Sequence, residues 1–223
     1  MSSNQLDQLF WAKRWTLRDV VALVVTAIVL GIILYLWAWA MQLLSRILGD
    51  VLAGLLYGVW FWPGLILAYA IRKPGAALLG QFGAALVAYG LGGALGSPLG
   101  ALILVLGWVQ GLALEMVFAW ARFQHWGLVT MMVAGAVAGT ASFAVNLAVD
   151  YGVGLAVDLA ASRGVNLVAP PMLIFLNSAG IILAILCIAI ISGAVLGGLV
   201  SKILGDRLLA IAPVRQFLGT QVP

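Results

Sequence analysis

The chain has 223 residues, of which 65% are apolar and 8% charged, with a formal net charge of +4. Soluble domains carry charge on about a quarter of their residues, so this composition excludes a soluble fold and describes helices packed in lipid. The positive balance is a topology signal and not nucleic-acid affinity, because no basic patch is interleaved with exposed aromatics. Cys187, the single cysteine, excludes an internal disulfide and a cysteine metal cluster, and is expected as a buried helix residue.

The first 19 residues are too polar for a cleavable leader and read as a cytoplasmic or interfacial segment. Six apolar runs follow, near Val20–Leu44, Val51–Ile71, Gly75–Leu95, Leu99–Ala121, Gly127–Val149 and Met172–Val200. About 20 residues of helix cross roughly 30 Å of hydrocarbon, and backbone without water must satisfy its own hydrogen bonds. The fold class is therefore an all-α bundle of six transmembrane helices over 20–201, with a tail at 202–223. Turn chemistry separates the runs at Arg72-Lys73-Pro74-Gly75, at Gly96-Ser97-Pro98 and at Ala169-Pro170-Pro171. The longest connection, Asp150–Pro171, reads as a lid carrying a short surface helix at Val153–Leu159, or as a plain connector.

With six spans, Lys13, Arg14, Arg18, Arg72, Lys73, Arg122, Lys202, Arg207 and Arg215 share one side, and Arg46 and Arg163 lie on the other. The positive-inside bias places both termini in the cytoplasm of a multi-pass cell-membrane protein. Small residues four apart, such as Gly107/Gly111, Gly135/Gly139 and Gly193/Gly197, let helix backbones approach closely. One such pair, Ala27/Gly31 on the first helix, is the candidate for docking a partner; packing within the monomer is the alternative.

Glu115 is the sole glutamate and lies inside an apolar helix, where a carboxylate costs about 2.5–3.5 kcal/mol on insertion scales. Trp108 stands seven residues earlier on the same face, with Gly111 between them, while Gln110 points about 140° away. Gln81 on the third helix lies at similar depth, so it bonds either Glu115 or a ligand. Trp60, Trp62 and Trp108 fall well inside the bilayer, as core packing or as stacking surfaces for a flat ring. A second set, Tyr57, Tyr89, Asn146, Asp150, Tyr151 and Asn177, lies toward the outer side, where it suits an outward-opening cavity for a small planar molecule. Counting from Arg122, Glu115 is only roughly 10 Å from the cytoplasmic boundary, so either the fourth helix is shifted outward, or Glu115 is the floor of such a cavity, or it is a structural residue.

No GxxxxGK[ST], HExxH or GxSxG sequence occurs, and one buried glutamate with no base partner makes a poor enzyme. No cofactor is expected.

Three blocks, Tyr57-Gly-Val-Trp-Phe-Trp-Pro-Gly-Leu, Ile71-Arg-Lys-Pro-Gly-Ala-Ala-Leu-Leu-Gly and Val109-Gln-Gly-Leu-Ala-Leu-Glu-Met-Val-Phe, resemble the YkoE family. That family comprises substrate-binding S components of energy-coupling factor (ECF) transporters, and the resemblance covers most of residues 14–126. It implies a six-helix vitamin-capture subunit of an ABC-type importer, with thiamine or its hydroxymethylpyrimidine precursor as ligand. The implied partners are a transmembrane coupling subunit and two ATPase subunits, besides membrane lipid. On this reading Trp60 and Trp108 stack the ring, Tyr57, Gln110, Asn146 and Asn177 bond its heteroatoms, and Glu115 bonds an aminopyrimidine edge or balances a positive charge. The family pattern is acidic at the positions of Gln81 and Ala88; their replacement here favours a neutral heterocycle. Two other readings compete: a structural or assembly subunit without a ligand, and a stand-alone proton-coupled carrier titrating Glu115.

Overall fold

A computed structural model describes residues 15–96, 100–163 and 179–211. Among them, six helical stretches are long and apolar enough to cross a membrane. The first is α1 (Leu17–Leu48), opened by a capping box in which Asp19 N donates to Thr16 Oγ1 at 3.3 Å and Thr16 N to Asp19 Oδ2 at 2.7 Å. This satisfies two of the amides that a helix start leaves open. The second stretch is broken into α2 (Asp50–Gly54), a 3-10 segment (Tyr57–Phe61) and α3 (Trp62–Ile71), with Pro63 in the first turn of α3. Then come α4 (Ala76–Leu95), α5 (Leu102–Trp120) and α6 (Leu128–Ser162). The last stretch joins α7 (Ala179–Ser192), a π-helical segment (Gly193–Leu199) and α8 (Val200–Ala210).

The expected spans match these stretches closely at the middle of the chain and differ at both ends. The first helix starts at Leu17 and the last reaches Ala210, each past the boundary hydropathy suggests. The backbone of α6 runs through Val153–Leu159 to Ser162, so that stretch continues the fifth span instead of forming a separate surface helix. The rest of the long connection lies outside the described residues.

The broken second stretch is the core of the bundle. Phe61, Leu65 and Leu67 are fully buried, as are Leu114 and Phe118 of α5 and Met131 of α6. Glycine seams make this closeness attainable. A Cβ on Gly111 would lie 2.9 Å from Leu78 Cα, so α5 rests directly on α4. Gly135 on α6 and Gly193 in the π segment face each other's backbones, where neither admits a side chain.

The Ala27/Gly31 pair belongs to such a seam. Ala27 is buried, and a Cβ on Gly31 would lie 2.6 Å from Val87 Cβ and 2.7 Å from Ala84 O. These residues join α1 to α4 inside the monomer, which corrects their expected role as a free docking face. Cys187, expected buried, is exposed on the outer surface of α7.

Candidate ligand-binding site

The chain order of the helices gives the bundle a basic end, around Arg72, Lys73 and Lys202, and an opposite end where α1 finishes and α5 begins. A cavity of about 320 Å³ lies in the half away from the basic end. That volume is within the range of small-molecule sites. Its walls are α1 (Ala38, Met41, Gln42, Ser45), the 3-10 segment (Tyr57, Trp60), α6 (Phe143, Asn146, Asp150) and α7 (Ile185, Ile188).

The break in the second stretch creates this space, and the π segment holds the break in place. Gly58 N donates to Ser192 Oγ at 2.8 Å, and Ser192 Oγ donates to Leu55 O at 2.6 Å. Trp62 Nε1 donates to Leu196 O at 2.8 Å, using a carbonyl that a π turn presents differently from an α turn. Phe61 packs against Gly193 and Gly197. Tyr57 and Trp60 therefore reach the cavity from a segment whose backbone is tied to the last helix.

Within the cavity, Asn146 Nδ2 donates to Tyr57 Oη and to Ser142 O, each at 2.9 Å. That uses both amide protons and leaves Asn146 Oδ1 without a partner among the described residues. Tyr57 meets Phe61 edge-on at 5.9 Å between ring centroids. Trp60 is 8% exposed, with its ring on the cavity wall. Its carbonyl accepts from Gln81 Nε2 at 2.7 Å.

The other proposed contacts lie elsewhere. Gln81 Oε1 accepts from Gly64 N at 2.9 Å, and its Nε2 also donates to Gln110 Oε1 at 2.8 Å. Gln81 and Gln110 are thus a buried splint over the start of α3, and neither lines the cavity. Gln81 pairs with Gln110 and not with Glu115. Glu115 accepts from three amides at the start of α4: Gly75 N at 2.5 Å, Ala77 N at 3.2 Å and Leu78 N at 3.4 Å. A carboxylate there meets open N–H groups and the positive end of the helix dipole. It is a helix cap at the basic end, which corrects its expectation as cavity floor and ring contact. Trp108 does share a face with Glu115 by spacing, but it is 52% exposed and does not line the cavity. Asn177 lies outside the described residues.

Sequence reasoning passed over Gln42, Ser45 and Phe143 as site residues, and placed Asp150 in the outer polar set without giving it a ligand contact. Asp150 carried a signal, being four residues after Asn146 and so on the same helix face. Gln42 and Ser45 sit near the end of a long apolar helix and had none.

A membrane bundle with a small-molecule cavity between its helices, lined by aromatic and amide groups, is a membrane-embedded binding subunit. The comparisons agree. Residues 18–141 match the family model described as "ABC-type cobalt transport system, permease component". A protein of Bacillus subtilis (strain 168) named "Putative HMP/thiamine permease protein YkoE" is 35% identical over 196 residues, covering 88% of this chain and 85% of that protein. A crystal structure of an S component of an ECF transporter superposes with a TM-score of 0.72 at 32% identity, covering 91% of this chain and 90% of the other. The chain belongs to the YkoE family of ECF-transporter S components.

Proposed function

We propose that this chain captures thiamine or its hydroxymethylpyrimidine portion from outside the cell and releases it inward with a coupling subunit and two ATPase subunits. The observation that carries the reading is the cavity walled by Trp60, Tyr57 and Asn146. Trp60 supplies a face for a flat ring, while Asn146 Oδ1 and the Tyr57 hydroxyl bond ring heteroatoms. The positive-inside bias supports an orientation with both termini cytoplasmic in the plasma membrane, and the cavity then faces outward. Among the described residues no group of three His, Cys, Asp or Glu converges, so the donors suit an organic ring better than a bare cobalt ion.

The test is titration of the purified protein, followed by tryptophan fluorescence and thermal stability, with thiamine and with hydroxymethylpyrimidine. Saturable quenching and a raised Tm are expected for at least one of them. A flat response to both overturns the reading. Mass spectrometry of small molecules retained through purification gives an independent check.

A further inference from the structure

We propose that Asp150 is the counter-ion of the cavity and makes it select a positively charged heteroaromatic ligand over a neutral one. This deepens the reading above and rests on it. Asp150 is half-buried on the cavity wall, one helical turn beyond Asn146 on the same face of α6. The ion pairs among the described residues are Lys73–Asp19 and Lys202–Asp206, both at the basic end. Asp150 makes neither an ion pair nor a hydrogen bond among those residues.

The connecting segments do not supply the missing cation. Residues 97–99 and 164–178 contain no Lys, Arg or His. Arg46 and Arg163, the basic residues on this side, are both exposed and neither pairs with Asp150. A carboxylate drawn into a membrane protein without a partner is costly, and a bound cation removes that cost. The neighbouring aromatics, Trp60 and Tyr57, favour the same kind of ligand by stacking and by cation–π attraction.

The arrangement is ordered along α6. Asn146 and the rings sit deeper, and the carboxylate lies one turn nearer the end of the bundle. It fits a ligand that inserts a neutral, hydrogen-bonding ring first and keeps a charged ring behind it. Thiamine has that form, and hydroxymethylpyrimidine has only the neutral half.

The experiment measures affinities of the full chain in nanodiscs for thiamine, for its uncharged isostere deazathiamine and for hydroxymethylpyrimidine. The wild type is expected to prefer thiamine over the isostere by tenfold or more. Asp150→Asn is expected to bring that ratio to within twofold and leave hydroxymethylpyrimidine affinity within twofold. Asp150→Glu, which keeps the charge, is expected to retain the preference. A preference that survives in Asp150→Asn overturns the assignment, as does equal weakening of all three ligands. Wild-type binding of hydroxymethylpyrimidine without thiamine overturns this inference and leaves the capture reading standing. Binding of none of the three overturns both.

Discussion

The two ends of this bundle use their polar residues in opposite ways. At the basic end the described carboxylates are bound to cations, hydroxyls or open backbone amides, although Ser201 Oγ is buried there without a partner among the described residues. Asp19 holds Thr16 and, at 2.6 Å, Lys73. Asp206 accepts from Tyr69 Oη at 2.5 Å and from Lys202, and the Arg72 guanidinium lies 4.9 Å from the Tyr69 ring centre. Trp15 Nε1 donates to Pro74 O at 3.1 Å, and Glu115 closes the start of α4. At the cavity end, Asp150 and Asn146 Oδ1 have no partner among the described residues. Saturated polar groups fix a structure, whereas unsaturated ones in a cavity await a ligand.

That contrast can be broken most severely at the seam joining the ends. Gly135→Val drives a side chain into the backbone of Gly193, and should cost about 3 kcal/mol or more and abolish recovery of folded protein, read by size-exclusion profile. Trp60→Ala should weaken ligand binding by about 1–3 kcal/mol, roughly 5- to 150-fold, in titrations of the folded protein. Glu115→Ala strips a charged acceptor from the α4 amides. Its expected cost is about 1.5–3 kcal/mol of stability, seen as a lower Tm, with affinity changed by less than about twofold. Asn146→Ala should weaken binding by about 1 kcal/mol, through one lost hydrogen bond and a loosened Tyr57. Trp108→Leu should shift affinity by no more than about 0.5 kcal/mol, since Trp108 does not line the cavity. If Glu115→Ala instead removed binding at unchanged Tm, the division between the two ends would fail.

The helices and the cavity end were legible in the sequence for simple reasons. Apolar runs report the bilayer directly, and Tyr57, Trp60 and Asn146 stand at matching depth on elements that converge. Glu115 misled because composition records that a carboxylate is buried but not which donors await it. Its partners are backbone amides, and these have no sequence signature beyond the Lys73-Pro74-Gly75 turn. Two of the three blocks that carry the family resemblance, Ile71–Gly80 and Val109–Phe118, turn out to be the two sides of one junction. Glu115 meets Gly75 and Ala77, Gln110 meets Gln81, and Gly111 permits the approach. Trp108 shows the limit of periodicity, which assigns residues to a shared face without saying what that face looks onto. The 3-10 and π segments were also invisible, since both arise from packing between Gly58, Ser192 and Gly197, far apart in sequence.

The Gln81 amide sets a chemical rule for its position. It accepts from Gly64 N while donating to Trp60 O and to Gln110. An ionised carboxylate can only accept, so an acidic side chain there would have to hold its proton to keep the Trp60 carbonyl satisfied. Glutamine performs both roles with no proton to lose. In this chain the Trp60 wall of the cavity is therefore held by a joint that titration does not reach.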